Sequence, residues 1–88
     1  MAQSTYNARV LVLRKTKLGE SDLILSLLAQ DGSQIRAVAK GARKPTSQFS
    51  SRLELYSQAD VLLAQGRTLD IVKEARLIAG NAALRESM

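Results

Sequence analysis

The sequence contains no cysteine and no histidine among its 88 residues. Without cysteine, neither a disulfide nor a cysteine-ligated metal can stabilise the fold, which must therefore depend on buried aliphatic side chains. Without histidine, the commonest general base and the commonest nitrogen ligand of transition metals are missing. We therefore expect no catalytic residue, no metal site and no cofactor, and we predict that this chain is not an enzyme.

The remaining candidates for chemistry are weak. Four of the five glycines fall at separate predicted turns, so they do not form a glycine-rich loop that cradles a phosphate. Glu20 and Asp22 flank Ser21 and have the ligand chemistry for a shared metal ion, but two carboxylates in a loop are far more often capping or solubility residues. We therefore assign no metal ligand to this pair.

The sequence also lacks long apolar runs. No run approaches the roughly 20 residues that a membrane-spanning helix needs. The first ten residues, MAQSTYNARV, lack the basic and then apolar layout of a signal peptide. These features predict a cytoplasmic protein. The last residues, LRESM, show no evident ending, so we expect a further C-terminal part that is not present here.

Short apolar segments separated by turn residues predict five strands. An Asp-Gly pair and a Gly-Arg pair mark two hairpin turns, at residues 31–32 and 66–67. Residues 16–22 and 41–52 are predicted loops, and Asn81 is a candidate N-cap for a short helix that begins near Gly80. The predicted strands span residues 8–15, 23–29, 34–40, 57–65 and 68–78.

Five short strands in a chain without disulfides favour a small antiparallel barrel, because closure removes the exposed sheet edges. We predict an all-β, five-stranded barrel of the OB type with a short C-terminal helix; an SH3-like barrel is the alternative. The domain is expected to span residues 1–79, with residues 80–88 starting a helix that leads into the C-terminal part.

Positive charge is concentrated in the first part of the chain. Residues 1–52 hold nine Lys and Arg against three acids, whereas residues 53–88 hold four against five. The segment RAVAKGARKP at residues 36–45 has four cations, and no acid occurs between residues 32 and 53. Such a distribution is typical either of a surface that meets phosphates or of a solvated face that only confers solubility.

Strand geometry favours the phosphate-binding interpretation. Arg36 and Lys40 would lie on one face of a strand, about 13 Å apart. The chain has only three aromatic residues, Tyr6, Phe49 and Tyr56, so binding is expected to be led by phosphate contacts and to depend strongly on salt. Phe49 is equally well explained as a residue that anchors the loop to the core. The predicted DNA-binding residues are Arg36, Lys40, Arg43 and Lys44, supported by Arg14, Lys15, Lys17 and Arg52.

Three segments resemble the N-terminal domain of the RecO family of bacterial recombination mediators. They are VLVLRKTKLGESDLILSLL, IRAVAKGARKPTSQFSSRLELYS and GRTLDIVKEARLI, and the middle segment is the most specific. The resemblance implies an OB fold that binds single-stranded and double-stranded DNA and anneals complementary strands. It also implies that the intact protein works with RecR to load RecA onto strands covered by single-strand-binding protein. Arg36, Lys40, Arg43 and Lys44 fall in the motif that this family is thought to place against DNA.

Two other functions remain open from the residues alone. The first is a protein-interaction module, for which the resemblance implies a partner such as RecR, and the second is an RNA-binding OB domain. Charge reversal at Arg36 and Lys40 distinguishes the first from a DNA-binding domain. A preference for structured RNA would identify the second.

Overall fold

The computed structural model describes residues 4–47, 49 and 52–79 of the chain. It contains five strands, which close into one barrel in the order β1-β2-β3-β5-β4. All neighbouring strands are antiparallel except β3 and β5, which are parallel. The predicted OB-type barrel is therefore confirmed. The strands are β1 (Thr5–Leu18), β2 (Asp22–Ala29), β3 (Gln34–Ala39), β4 (Gln58–Ala64) and β5 (Asp70–Ala79).

The first strand is longer than its sequence suggests. Residues 16–22 were predicted to form a loop, but β1 continues to Leu18 and β2 begins at Asp22. The loop prediction is wrong because Thr16–Leu18 find backbone partners across the hairpin in Asp22–Ile24, which local polarity does not reveal. The turn itself is only residues 19–21, where Gly19 has a φ of +61°. The helix predicted from residue 80 lies outside the described residues.

The core is built by alternate residues of β1 to β4 and by two residues of β5 that flank a register shift. Their side chains point into the barrel and are almost fully buried, as expected for strands with a period of two residues. The centre of the barrel is filled by Val10 and Val12 of β1, Leu25 and Leu27 of β2, Ala37 and Ala39 of β3, Val61 and Leu63 of β4, and Val72 and Ala75 of β5.

The long connection between β3 and β4 is attached to this core. Ala42, Phe49 and Leu53 are buried in it, at 6%, 5% and 1% exposure. Phe49 therefore anchors the connection to the barrel and is buried away from solvent, which answers the question left open by the sequence. The connection leads from the basic end of β3 back to the start of β4, so these anchors hold the cationic segment against the barrel.

The β4–β5 turn depends on a close backbone approach. A Cβ atom on Gly66 would lie 2.0 Å from the carbonyl oxygen of Leu69, so only glycine fits there. The Gly66 N–H also donates to the carboxylate of Asp70 at 3.1 Å. Asp70 accepts a second hydrogen bond, from the hydroxyl of Tyr6, and burial together with this bond raises the pKa of Tyr6 to about 12. These contacts join the start of β1 to the turn.

No helix in the described part of the chain is long and apolar enough to span a membrane.

Candidate nucleic-acid interface

A β-bulge in β1 decides which way its basic residues face. Val12 pairs with Leu27 of β2 and Arg14 pairs with Ser26, so Leu13 has no partner of its own in this ladder. Without this extra residue, Arg14 would follow Val10 and Val12 into the core. The bulge instead places Arg14 on the outer face of the barrel, where its side chain is exposed.

Arg14 and Arg36 lie in one cross-strand row. Arg14 pairs with Ser26 of β2, and Ser26 pairs with Arg36 of β3. Directly paired residues present their side chains to the same face, and adjacent strands are about 4.8 Å apart. The two arginine backbones are therefore about 10 Å apart on the outer face, with a small hydroxyl side chain between them.

Lys40 and Lys44 continue the positive charge beyond β3. Arg36 and Lys40 are exposed, whereas Ala37 and Ala39 between them point into the core at 0% exposure. After β3 the chain makes two successive backbone turns, in which the Lys44 N–H donates to Gly41 at 3.0 Å and the Ser47 N–H donates to Lys44 at 3.0 Å. Lys44 is exposed on these turns. We call Arg14, Arg36, Lys40 and Lys44 the basic face.

Arg43 has a different environment from its neighbours. It is only half exposed, and its guanidinium donates to the carbonyl of Gly19 in the β1–β2 turn. Its backbone N–H donates to the carbonyl of Ser21 at 2.9 Å. The Gly41 N–H adds a third bond, to the carboxylate of Asp22 at 2.7 Å. Arg43 therefore ties the β3–β4 connection to the β1–β2 turn, and its side chain is occupied in doing so.

The lysines of β1 face the other side of the strand from Arg14. Lys15 pairs with Leu25 and Lys17 pairs with Leu23, whose side chains are buried in the core. Both lysines are nevertheless exposed. They thus lie on the core-facing side of β1, beyond the bulge, where the strand no longer covers the barrel interior. The structure separates these two predicted residues from the basic face.

Arg52 is also directed away from the basic face. Its guanidinium donates to the carbonyl of Ala75 in β5 at 3.4 Å. It lines an open cleft of about 1140 Å³ together with Asp60 and Glu74. Arg9 and Arg76 also line this cleft, so its cations lie among carboxylates, unlike those of the basic face.

Asp60 is the centre of a charge cluster on that second face. Arg9 donates to its carboxylate at 3.0 Å and Arg76 donates at 3.3 Å. The Arg9 hydrogen bond, followed by that of Arg76, holds the pKa of Asp60 below its usual value despite some desolvation. These two arginines already have an anionic partner, which distinguishes them from the basic face.

One cationic residue outside the predicted site is in the turn that leads into β5, the strand next to β3. Because β3 and β5 are parallel and Ala37 pairs with Asp70, the turn that precedes Asp70 lies beside the residues that precede Ala37. Arg67 is exposed in that turn. Local sequence could not reveal this neighbour, since it depends on a pairing between strands separated by more than 30 residues of chain.

Among the described residues, no group of three acidic side chains could hold a metal ion.

The closed five-stranded barrel and the arginine row on its outer face define an OB-type domain with a basic surface. The family model "Recombination protein O N terminal" matches residues 1–81. The chain therefore belongs to this family, the RecO N-terminal domains.

Several curated relatives are named DNA repair protein RecO. The chain is similar to the one from Bifidobacterium longum strain DJO10A, with 46% identity over 80 residues, which cover 91% of this chain and 34% of the relative. It is 48% identical over 77 residues to that of Bifidobacterium adolescentis, covering 88% of this chain and 31% of the relative. It is 47% identical over 73 residues to the relative from a Nocardioides species, and these residues cover 83% of this chain and 30% of the relative. The chain thus spans about a third of the length of these relatives.

Proposed function

We propose that this chain is a non-enzymatic DNA-binding domain that serves recombinational DNA repair. The observation that carries the proposal is the basic face, where Arg14 and Arg36 share one cross-strand row and Lys40 and Lys44 extend the charge beyond β3. None of these four side chains donates to a carboxylate in the described part of the chain. Membership of the RecO N-terminal family, whose curated relatives are named for DNA repair, supports the same function.

The mechanism is neutralisation of backbone phosphates. Each phosphate contacted on a single strand contributes about −0.7 to the slope of log affinity against log salt, so four cations give a slope of roughly −3. Contacts of this kind position the nucleic acid without reading its sequence. A strand held by its backbone keeps its base edges available for pairing, and this is how the domain would support annealing of complementary strands.

The wider functions belong to the intact protein. We extend the proposal to duplex DNA, to cooperation with RecR, and to loading of RecA onto strands covered by single-strand-binding protein. The support for this extension is family membership alone. The basic face supports the DNA-binding part of the proposal alone.

Charge reversal tests the proposal against a matched control on the other face. Arg36→Glu removes a cation from the basic face, and Arg76→Glu makes the same chemical change at a residue with an 81% exposed side chain in the Asp60 cluster. We expect Arg36→Glu to weaken binding of a labelled oligo-dT at least tenfold at low salt, measured by fluorescence anisotropy. Arg76→Glu should change it less than threefold. Equal losses in both variants, or no salt-dependent binding by the unaltered chain, would contradict the proposal.

A protein-docking function is the second candidate, because apolar side chains are exposed at the end of β5. Leu77 and Ile78 are 43% and 41% exposed, and Leu55 in the β3–β4 connection is 39% exposed. A partner such as RecR would cover these residues. Leu77→Ser should then weaken partner binding in a pull-down and leave oligo-dT affinity unchanged.

A further inference from the structure

The backbone of Tyr56 adopts a conformation that tyrosine rarely takes. Its φ is +62°, and Tyr56 is the one non-glycine residue with a positive φ in the part of the chain that the structure describes. The Ser57 N–H donates to the carbonyl of Glu54 at 3.1 Å, which closes a four-residue turn with Tyr56 in the third position. A turn with positive φ at that position is type II, where glycine or asparagine is the ordinary residue.

A second feature of the same residue also favours glycine. The Tyr56 N–H donates to the carbonyl of Val12 at 2.8 Å, and the Val12 N–H donates to the carbonyl of Ser57 at 3.1 Å. Two residues of the connection thus oppose one residue of β1. This is the pattern of the bulge whose first residue is a left-handed glycine. The turn and the bulge both favour glycine at position 56.

The tyrosine ring contributes little to the stability of the fold. Tyr56 is 55% exposed, so the ring is not a core residue. The other two aromatic residues have structural roles, because Tyr6 donates to Asp70 and Phe49 is buried at 5% exposure. A bulky residue that is kept in an unfavourable backbone conformation and exposed to solvent is a candidate functional residue.

The position of Tyr56 indicates which function it serves. Val12, its backbone partner, lies two residues before Arg14 on β1, a distance of about 7 Å along the strand. Arg14 begins the row that leads through Ser26 to Arg36. Tyr56 therefore lies beside the basic face, on the opposite edge of β1 from β2. Aromatic side chains beside a cationic surface are the usual stacking platforms for the bases of single strands.

We propose that Tyr56 stacks on a nucleobase of single-stranded DNA bound to the basic face. The inference rests on the proposed function and refines it, since binding then depends on bases as well as phosphates. Tyr56 is largely exposed, and its backbone pairs with Val12, two residues before Arg14 on β1. The domain should consequently bind an oligonucleotide more tightly than a phosphate chain of equal length and charge that has no bases.

Two probes and three variants test this inference. The probes are oligo-dT and an abasic deoxyribose-phosphate oligomer of the same length. Tyr56→Gly and Tyr56→Asn remove the ring and keep a residue that tolerates positive φ, whereas Tyr56→Phe keeps the ring. We expect the Gly and Asn variants to lose roughly tenfold in affinity for oligo-dT, within the range measured for one stacked base, and to bind the abasic oligomer unchanged. Tyr56→Phe should bind oligo-dT like the unaltered chain.

Stability and fluorescence provide independent readouts. If Tyr56 is kept for binding, Tyr56→Gly should melt at the same or a higher temperature than the unaltered chain. The sequence has two tyrosines and no tryptophan, so Tyr6→Phe leaves Tyr56 as the single reporter of tyrosine emission. Oligo-dT should quench that emission by more than half, and the abasic oligomer should not.

The outcomes separate the inference from the proposed function. Salt-dependent binding of both probes with equal affinity, unchanged in Tyr56→Gly, would overturn the stacking role and keep the phosphate-led function. A lower melting temperature in Tyr56→Gly without loss of oligo-dT affinity would assign Tyr56 a purely structural role and would also overturn it. Absence of salt-dependent binding to either probe would overturn both proposals together.

Discussion

Replacing Arg43 by glutamine tests the distinction between a residue that holds the basic segment in place and one that contacts phosphate. The Arg43 guanidinium donates to the Gly19 carbonyl and is half buried. Glutamine is too short to keep this bond, but it retains the backbone bond from residue 43 to Ser21. The change therefore removes one charge-assisted hydrogen bond and leaves the local backbone pairing intact.

The expected loss of stability is modest. Hydrogen bonds to charged groups contribute about 1.5–3 kcal/mol, and partial exposure lowers that value. The Nε–H of Arg43 is buried without a hydrogen-bond partner among the described residues, so removing it offsets part of the loss. We expect about 1 kcal/mol, which lowers the melting temperature of a domain of this size by roughly 4–8 °C.

Salt titration distinguishes Arg43 from a phosphate-contacting residue. Arg36→Gln is the matched control, because it makes the same substitution on the basic face. Arg36→Gln should reduce the magnitude of the salt slope by about 0.7 and hardly change the melting temperature. Arg43→Gln should lower the melting temperature and change the slope by less than half as much. If Arg43→Gln reduced the slope by a full 0.7 with no effect on melting, Arg43 would contact phosphate directly and our reasoning about the loop would be wrong.

Two further predictions concern the barrel itself. Leu25 is 0% exposed and Leu18 is 38% exposed, so Leu25→Ala should destabilise the chain by about 2–5 kcal/mol in urea unfolding and Leu18→Ala by less than about 1 kcal/mol; similar losses would contradict the assigned core. The pKa of Asp60 is lower in the folded chain than in the unfolded chain. The ionised carboxylate therefore stabilises the fold fully when the pH is above the pKa of the unfolded chain. This stabilisation is lost as the pH falls through the pKa of Asp60 in the folded chain. An NMR titration should therefore place the Asp60 midpoint below 3.8 and show it rising more in Arg9→Gln than in Arg76→Gln, whereas an unshifted midpoint would exclude the ion cluster in solution.

Much of the barrel is predictable because its signals are local. Short apolar segments bounded by turn residues locate β2, β3 and β4, and the glycine of the Asp-Gly turn adopts the expected positive φ of +89°. The extension of β1 to Leu18 is not predictable in this way. Its residues are polar and become a strand only because they pair with the start of β2. Closure of the barrel by the short parallel pairing of β3 with β5 likewise depends on contacts between distant segments.

The candidate site, like the barrel, is only partly predictable from local sequence. The sequence identifies its cationic residues, but their directions depend on irregular backbone and on contacts beyond nearest neighbours. One bulged residue, Leu13, decides that Arg14 faces outward while Lys15 and Lys17 take the core-facing side. Arg43 and Arg52 carry the same charge as Arg36, but they donate to backbone carbonyls of Gly19 and Ala75. Composition treats these arginines alike, whereas the structure assigns them different roles.

The most direct test of the central claim is an amide chemical-shift map of the isotope-labelled chain titrated with oligo-dT. The largest changes should occur at Arg14, Ser26 and Arg36 and at the turns that carry Lys40 and Lys44. The amides of Arg9, Asp60 and Arg76 on the second face should change little. Largest changes at the Asp60 cluster, or no changes at saturating oligonucleotide in low salt, would contradict the assignment of the basic face as the DNA-binding surface.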